Sequence, residues 1–477
     1  MKKSPILCSL VAVIVLCISI TGIAQAAPTT TASSQKFDIG KLVRAIPLWS
    51  SAKKVSSSGV SAAATSASIP PCLDNPTPTP IAPQCYSPQQ TRNAYDVTGL
   101  LKAGVTGKGR TIVIVDASSS PTLRSDLHFY DQIYGLKDPQ LNVIAPFGAP
   151  PFDPGVYEET ALDVQMAHTM APDATIDLLL TGDTTNDLTI ESFFYDLLKP
   201  IKYAVDHDLG SVISLSYGAG ESCFDNAYFR YEHGIFGKAR DEKISLFISA
   251  GDSGAAIESC TSPTTTSGFF LGKGASIPAS DPLVSSVGGT TLNAKVGTGK
   301  YVSETTWNED SVGDGATGGG FSNVFVRPEY QNGVPGTGSH RGLPDVAWDA
   351  DPLTGVPVVV SLFGGTYIVP FGGTSVGAPA WAGFAALFNQ YAGKRLGFLN
   401  DAFYRILKSK YYGSAFHDIK TGNNTVTGFD SNGNLVTITG YNAGVGWDAV
   451  TGVGTPKVAA LAPLLKKYTY AGDGKGV

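Results

Sequence analysis

The chain has 477 residues, of which 43% are hydrophobic and only 16% are charged, and its 34 Lys and Arg against 40 Asp and Glu give a formal net charge of −6. This length and apolar content suffice for one large domain with a substantial core. The clustered basic excess of a nucleic-acid-binding protein is missing, so we expect no nucleic-acid partner.

The first 26 residues have the pattern of a secretory signal. Lys2 and Lys3 precede an apolar run from about Pro5 to Ile20, and Ala24-Gln25-Ala26 supplies small residues for cleavage. We therefore expect a secreted, extracellular protein, with an uncleaved membrane anchor as the alternative. No later segment has 18 unbroken apolar residues, so no membrane association is expected once the signal is removed.

Residues 27–84 are rich in Ser, Ala, Thr and Pro, as in Pro76-Thr77-Pro78-Thr79-Pro80. Such a composition is typical of a linker or a short pro-segment and not of a packed domain. We place the main domain at residues 85–470.

Six cysteines occur, and Cys8 and Cys17 lie in the signal. The remaining four are Cys72, Cys85, Cys223 and Cys260. An even number in an exported chain predicts two disulfides, and we expect neighbours to pair, as Cys72–Cys85 and Cys223–Cys260, although the sequence alone allows three connectivities. Since no Cys-x2-Cys spacing is present, a zinc site is not favoured.

From Cys85 onward, short β-branched runs alternate with helical stretches. Thr111–Asp116 is a short apolar, β-branched run that ends in an aspartate, as in a strand buried on both faces. Similar runs lie at 174–180, 211–216, 244–250 and 283–287, and helical patterns lie at 162–170 and 190–207. This alternation predicts the α/β class, with a doubly wound parallel sheet flanked by helices.

The region from about Leu292 to Tyr367 is rich in Gly, Asn, Asp and Pro, which predicts long loops and hairpins around the sheet. Gly372-Gly373-Thr374-Ser375 follows, and a helical pattern begins directly after it. A serine between a glycine turn and a helix N-terminus presents its hydroxyl beside backbone N–H groups and a positive dipole. The alternative is an ordinary Ser N-cap.

Two further segments carry carboxylates in suggestive places. Glu159 and Asp163 stand four residues apart, which puts them on one side of a helix. Because Glu158 adjoins Glu159, the sequence leaves open which of the two glutamates is the functional one. Asp252 follows the buried run at 244–250, at the strand end where α/β proteins place their sites. A solvated acidic face and a plain Asp-containing turn are the respective alternatives.

Together these segments resemble one family, the sedolisins or serine-carboxyl peptidases, whose fold is subtilisin-like. The resemblance covers about 85–465, and its specific motifs are Glu159-x-x-Leu162-Asp163, Ala250-Gly251-Asp252-Ser253-Gly254 and Gly372-Gly373-Thr374-Ser375. It implies a serine-type endopeptidase that acts on protein or peptide substrates in acid. Ser375 would be the nucleophile, Glu159 the general base, Asp163 its orienting partner and Asp252 the protonated donor to the oxyanion.

The resemblance also implies one structural Ca²⁺ near the C-terminus, through Phe416-His417-Asp418-Ile419 and Ala443-Gly444-Val445-Gly446-Trp447-Asp448. The implied ligands are the carboxylates of Asp418 and Asp448 and the backbone carbonyls of Ile419, Gly444 and Gly446. The chain departs from the family in two respects. Residues 27–84 are too few for the folded propeptide that its members usually carry, and no Glu occurs around Ala117 to Leu127, where some relatives extend the triad with a further glutamate.

Two other interpretations remain open at the level of sequence. Asp116, His168 and Ser375 occur in the chain order of a histidine-based, subtilisin-like peptidase, although the residues around His168 lack that family's His-Gly-Thr-His pattern. A non-catalytic binding protein on the same fold is the second alternative. We expect the protein to be a monomer.

Overall fold

The computed structural model describes residues 45–55, 85–184, 189–260, 270–313, 315–430, 432 and 434–470. The predicted signal, its cleavage site and Cys72 lie outside these residues. The described strands, in chain order, are β1 (Ile46–Pro47), β2 (Lys53–Val55), β3 (Thr111–Asp116), β4 (Leu141–Ile144), β5 (Thr175–Leu180), β6 (Val212–Leu215), β7 (Ala219–Gly220), β8 (Ser245–Ser249), β9 (Ala256–Ser259), β10 (Phe270–Lys273), β11 (Ser276–Ile277), β12 (Ser285–Lys295), β13 (Lys300–Thr306), β14 (Gly320–Val326), β15 (His340–Leu343), β16 (Val346–Asp349), β17 (Val356–Leu362), β18 (Gly365–Gly372), β19 (Phe416–His417), β20 (Val426–Phe429), β21 (Leu435–Ile438) and β22 (Thr455–Pro456).

The described α-helices are α1 (Pro88–Ala94), α2 (Val97–Lys102), α3 (Leu123–Tyr134), α4 (Pro154–Met170), α5 (Ile190–Asp206), α6 (Asn226–Asp241), α7 (Thr374–Ala392), α8 (Asn400–Leu407), α9 (Tyr412–Ala415) and α10 (Val458–Tyr470). None of the helices in the described part of the chain is long and apolar enough to cross a membrane.

The central sheet has the strand order β13-β12-β8-β6-β3-β5-β4, and β16 also pairs with β12. All of its pairs are parallel except β12 with β13. From β3 the chain goes to the edge strand β4, returns to β5 between these two strands, and then continues on the other side of β3 through β6, β8 and β12. This arrangement confirms the predicted doubly wound α/β sheet.

Successive side chains of a strand point to opposite faces of the central sheet, and each face carries its own hydrophobic core. Ile112 and Ile114 of β3 join the core that contains α4 and α7, whereas Val113 and Val115 join the core that contains α5 and α6. Since successive residues of a strand face opposite sides, helices are required on both faces of the sheet. The molecule therefore has helix, sheet and helix layers.

Helices α4 and α7 approach each other closely at one glycine. A Cβ on Gly383 would lie 2.6 Å from the Met170 Cβ, which is nearer than such atoms approach. The close approach brings α7, which follows β18, alongside α4. This packing positions the two helices that carry Ser375 and Glu159.

Residues 45–55, which the composition assigns to a linker, form β1, a 3₁₀ turn at Trp49–Ser51 and β2. Both strands pair antiparallel with β18. We call residues 45–55 the N-terminal strap.

A disulfide joins Cys223 and Cys260, whose Cα atoms are 4.9 Å apart, as predicted. It connects the turn after β7 to the end of β9. Because Cys72 lies outside the described residues, the pairing Cys72–Cys85 stays a prediction.

Candidate active site

Ser375 lies at the point where the chain turns from a strand into a helix. Strand β18 ends at Gly372, Gly373 precedes α7, and Ser375 is the second residue of that helix. Gly373 has φ 96°, a conformation that glycine adopts without the cost imposed by a side chain. The turn therefore places the Ser375 hydroxyl at the amino end of α7, next to backbone N–H groups that favour negative charge.

Glu159 and Asp163 lie one turn apart on α4, and both are fully buried. The Ser375 hydroxyl is near enough to Glu159 to lower the pKa of its carboxyl. Among the described residues, however, neither Ser375 Oγ nor Glu159 Oε1 has a hydrogen-bonding partner of ordinary length. Such loose contacts are common in the absence of substrate and tighten when it binds.

Burial is the largest influence on the pKa values of Glu159 and Asp163. It raises the pKa of Glu159 to about 8, an effect partly offset by the Ser375 hydroxyl and the Ala45 N–H. The pKa of Asp163 is also raised well above its ordinary value, first by burial and then by the charge of Glu159. Asp163 also accepts a hydrogen bond from the Ser216 hydroxyl at 2.9 Å. Burial thus favours the protonated form of Asp163, which lies within hydrogen-bonding reach of Glu159.

Asp252 follows β8 and is held by Thr374, the residue before Ser375. Its Oδ1 accepts hydrogen bonds from the Thr374 N–H at 2.8 Å and from the Thr374 hydroxyl at 2.6 Å. Because Oδ1 already accepts two hydrogen bonds, a proton on this carboxyl belongs on Oδ2. The side chain lines a cavity of about 380 Å³ together with Ser253, Ala45 and Ile46.

Asp116 is a fourth buried carboxyl in this cluster. It ends β3 and accepts a hydrogen bond from the Tyr217 hydroxyl at 3.0 Å. Burial, followed by the charge of Glu159, raises its pKa well above the ordinary value. Its charge in turn raises the pKa of Asp163. Sequence analysis considered Asp116 only as part of a histidine triad, although its place at a strand end was a usable signal.

His168 lies away from this cluster. It stands nine residues after Glu159 on α4, which corresponds to about 180° around a helix with 3.6 residues per turn. Its Nε2 is 3.0 Å from Asp131 Oδ1, and both side chains are buried. The structure therefore does not assemble Asp116, His168 and Ser375 into a triad.

The N-terminal strap enters the same cleft, which sequence analysis did not foresee. The Ala45 N–H donates to Glu159 Oε2 at 2.7 Å, and the Trp49 indole N–H donates to Glu158 Oε1 at 2.9 Å. Burial raises the pKa of Glu158 to about 7. The two neighbouring glutamates thus have different partners, since Glu159 faces Ser375 and Glu158 faces Trp49.

Hydrogen bonds link four of the five residues predicted to hold calcium, in two pairs. Gly446 N–H donates to Asp418 Oδ1 at 2.9 Å, and Gly444 N–H donates to Asp448 Oδ2 at 2.9 Å. The Tyr412 hydroxyl lies 2.9 Å from Asp418 Oδ1 and 3.4 Å from the Gly446 carbonyl oxygen, between two of the predicted ligands.

No group of three or more His, Cys, Asp or Glu side chains suited to a metal occurs within the described ranges. Two carboxylates completed by backbone carbonyls form the oxygen-only donor set that a hard cation prefers. Lys420 pairs with the other oxygen of Asp418 at 3.3 Å. The oxygen-only donor set suits Ca²⁺, which would have to displace the Lys420 ammonium from Asp418.

A comparison with protein-family models found no match. Among curated proteins, the chain is 32% identical over 402 residues to kumamolisin from Bacillus sp. strain MN-32, covering 82% of this chain and 65% of that protein. It is 33% identical over 278 residues to sedolisin from Pseudomonas sp. strain 101, covering 57% and 44%. It is 31% identical over 297 residues to xanthomonalisin from Xanthomonas sp. strain T-22, covering 57% and 34%. The chain thus spans less than two thirds of the length of these relatives.

Among solved structures, Pseudomonas sedolisin, a serine-carboxyl proteinase complexed with two molecules of pseudo-iodotyrostatin, matches with a TM-score of 0.68 at 29% identity. That match covers 81% of this chain and 99% of the sedolisin chain. The agreement in sequence and in the arrangement of the parallel sheet leads to one conclusion: the chain belongs to the sedolisin family and has a subtilisin-like fold.

Proposed function

We propose that this protein is a secreted serine-carboxyl endopeptidase that cleaves proteins or peptides through an acyl-enzyme on Ser375. The observation that carries the proposal is the convergence of Ser375, Glu159 and Asp252 on one cleft. A nucleophile, a base and an acid that can stabilise an oxyanion are the groups that acyl transfer needs.

In this proposal, Ser375 Oγ attacks the scissile carbonyl and Glu159 takes its proton. Asp163, protonated and fixed by Ser216, donates to Glu159 and orients its carboxyl. The role corresponds to that of the aspartate in histidine triads, with carboxyls in both positions. Glu159 then returns the proton to the leaving nitrogen, and water hydrolyses the ester by the same path.

Asp252 is the proposed donor to the oxyanion. Thr374 engages Oδ1 twice, which leaves a proton on Oδ2 available to the developing negative charge. Such a donor must be neutral, so ionisation of Asp252 would remove its effect. The need for a protonated Asp252 limits activity at high pH.

The ionisation of Glu159 limits activity at low pH. With the strap in place, burial holds its pKa at about 8. Departure of the strap would return water to the cleft and lower this pKa towards the ordinary value of about 4.3. We therefore propose a bell-shaped activity profile with an optimum at roughly pH 3 to 5.

We also propose that Asp418, Asp448 and the carbonyls of Ile419, Gly444 and Gly446 hold one Ca²⁺. The ion would neutralise two carboxylates and tie the segment after α9 to the 444–448 loop. Its role is structural and no catalytic step passes through it. We further propose that the protein is exported through its N-terminal signal and that it is a monomer.

Digestion of casein by the purified protein at acidic and neutral pH tests this function, with Ser375→Ala as the control. We expect digestion in acid by the wild type and none by the variant. Equal digestion by both proteins would point to a contaminant, and no digestion at any pH would favour the non-catalytic binding protein.

A further inference from the structure

A groove on the protein surface lies between α5 and α6, and we call it the α5–α6 groove. It has a volume of about 440 Å³, and its lining residues, all from these two helices, include Lys202, Val205, Arg230, Tyr231, Gly234 and Lys238. This volume is within the range of sites that bind small molecules. Helices α5 and α6 cover the face of the sheet opposite to α4 and α7. The groove is therefore separate from the proposed active site.

Positive charge is concentrated in the α5–α6 groove. Lys202 belongs to the wall formed by α5, and Arg230 and Lys238 belong to the wall formed by α6. Among the described residues that line the groove, Asp206 is the one acidic residue. Three cations against one carboxylate leave an excess of two positive charges, although the whole chain has a net charge of −6. This local excess favours an anionic ligand.

Asp206 holds two of the three cations in place. One oxygen of its carboxylate accepts a hydrogen bond from the Lys238 ammonium at 2.7 Å, and the other oxygen accepts one from the Lys202 ammonium. The carboxylate thus joins α5 to α6 and keeps both lysines at the groove. An ammonium has three N–H groups and this contact engages one of them, so each lysine keeps donors for a ligand.

Arg230 has no comparable partner. Within the described part of the chain, its guanidinium makes neither a hydrogen bond nor an ion pair, and its side chain is exposed. A guanidinium presents five N–H donors in a planar fork, which matches two oxygens of a phosphate group. Arg230 is therefore available to bind an oxyanion in the groove.

Gly234 leaves a gap between two of the cations. Arg230, Gly234 and Lys238 follow one another at intervals of four residues, so they lie in one row along α6. Neighbours in this row are separated by about 6 Å along the helix axis. Gly234 is exposed, and a Cβ added to it would meet no packed neighbour within 4 Å. A phosphate group therefore has room at Gly234, with a cation on either side.

A glycine at this position lowers the stability of α6, since glycine is less favourable than alanine in the interior of a helix. The fold supplies no reason for it. Gly383 on α7 is needed where Met170 packs against it, but no segment packs closely on Gly234. The backbone of Gly234 is also outside the left-handed region that favours glycine. A ligand that uses the open space is the reason that remains.

The rest of the groove suits a larger body attached to the anion. Val205 and Ile235 are buried apolar side chains that line it. Tyr231 is 39% exposed, and its ring packs against Tyr195 with ring centres 5.6 Å apart. An aromatic ring with one free face offers an apolar surface and a polar edge. These side chains can contact a ring such as that of a sugar.

We propose that the α5–α6 groove binds a small molecule through a phosphate group that lies over Gly234. The Arg230 guanidinium and the ammoniums of Lys202 and Lys238 would donate hydrogen bonds to its oxygens. A phosphate monoester carries close to two negative charges at neutral pH, which matches the excess of two positive charges, whereas a carboxylate carries one. The inference does not rest on peptidase activity, because the groove and the proposed active site lie on opposite faces of the sheet.

The first test is calorimetric titration of the full-length Ser375→Ala protein at neutral pH, a background that removes self-digestion. The probes are sodium phosphate, glucose 6-phosphate and gluconate, a sugar acid with one carboxylate. We expect a Kd of roughly 1 mM or lower for glucose 6-phosphate and a Kd at least about tenfold higher for gluconate. Inorganic phosphate that binds as tightly as glucose 6-phosphate would keep the phosphate site and overturn the contact with a ring.

The second test uses variants on the same background. Arg230→Gln and Gly234→Leu should each raise the Kd for glucose 6-phosphate by about tenfold or more, since a charged hydrogen bond is lost or the gap is filled. Arg240→Gln is the matched control, because Arg240 lies on the same helix, pairs with Asp241 and does not line the groove. Gly234→Ala should raise the Tm measured without ligand, as expected for a glycine that the fold does not need.

Three results would overturn the site. The first is no measurable binding of either phosphate probe at about 10 mM. The second is an equal loss of affinity in Arg230→Gln and Arg240→Gln, which would show a general attraction between charges. The third is unchanged affinity in a Gly234→Leu protein that keeps the Tm of its background. Gluconate that binds as tightly as glucose 6-phosphate would likewise overturn the assignment to phosphate.

Discussion

Thr374 donates both its backbone N–H and its hydroxyl to Oδ1 of Asp252, at 2.8 and 2.6 Å. The residue that precedes the proposed nucleophile thus fixes the proposed oxyanion donor. The same hydroxyl accepts a hydrogen bond from the Gly251 N–H at 3.1 Å. The start of α7 and the turn after β8 are therefore held together by one side chain.

This relationship makes Thr374 a positioning residue. Thr374→Val removes the hydroxyl and keeps the shape, so Asp252 should lose part of its orientation and kcat should fall about tenfold, less than for loss of the donor itself. Thr374→Ser should restore most of the activity. The measurement is kcat and KM at the acidic optimum, and a change in KM alone would contradict the assignment.

Removing the reacting groups themselves should cost more. Ser375→Ala, Glu159→Gln and Asp252→Asn are each expected to lower kcat by on the order of a hundredfold or more. Glu158→Gln is the matched control, because its carboxyl faces Trp49 and not Ser375. A loss in Glu158→Gln as large as in Glu159→Gln would mean that the base has been misassigned.

The sequence was most informative where a buried strand gave an unbroken apolar run. The predicted strand at 111–116 is β3, and those at 174–180, 211–216 and 244–250 contain β5, β6 and β8. Edge strand β4 was missed because Leu141–Ile144 is partly exposed and lacks such a run. Strand β12 continues to Lys295, into a region expected to be loops, because its outer half pairs with β13.

Local pattern could not predict the contacts between distant segments. Glu159 and Asp163 are visible as a helical pair, but Asp116 joins them only through the parallel pairing of the sheet. The N-terminal strap is a stronger example of a contact between distant segments that local sequence pattern does not predict. Its Ser- and Ala-rich surroundings suggest a linker, and only the free edge of β18 gives Ile46 and Trp49 a place to pack.

The disulfide should contribute measurably to stability. Cys223 and Cys260 are separated by 37 residues. Closing a loop of this length constrains the unfolded chain by about 4 kcal/mol in the entropy model. The double variant Cys223→Ala/Cys260→Ala should therefore have a lower Tm than the wild type. An unchanged Tm without reductant would contradict this estimate.

Calcium should stabilise the native state, since an ion that binds only the folded protein shifts the equilibrium by mass action. Chelation at neutral pH should lower the Tm of the wild type. Asp448→Ala should have the lower Tm already and should not respond to chelator. Asp241→Ala, at an exposed position on α6, is the control and should respond like the wild type. A wild-type melt that chelator leaves unchanged would count against the site.

Stability should also fall as pH rises. The buried carboxyls Asp116, Glu159, Asp163 and Glu232 all have a raised pKa, with burial as the largest cause. The folded state binds their protons more tightly than the unfolded state. The resulting stabilisation is complete below the unfolded values near 4 and is lost as pH rises through the folded values, about 8 for Glu159.

Melting of the Ser375→Ala protein between pH 4 and 8 at constant calcium checks this expectation. We expect a Tm that declines over this range. Glu232→Gln should reduce the decline, because that carboxyl is buried outside the proposed active site, whereas Glu242→Gln at an exposed position should not. A Tm that rises between pH 5 and 8 would contradict the raised pKa values.

The pH dependence of activity distinguishes the carboxyl mechanism from a histidine mechanism. A histidine base is protonated well below its pKa of about 6.5, whereas a solvated glutamate with a pKa of about 4.3 can still accept a proton. We expect an optimum at roughly pH 3 to 5, and His168→Ala should keep it, since His168 contacts Asp131 on the far side of α4. Because His168 is buried, the variant is assayed below its own Tm, so that a loss of folding is not mistaken for a loss of catalysis. If activity peaks near pH ~8 in the wild type and is lost in folded His168→Ala, the general base is a histidine and not Glu159. That result would favour the subtilisin-like mechanism.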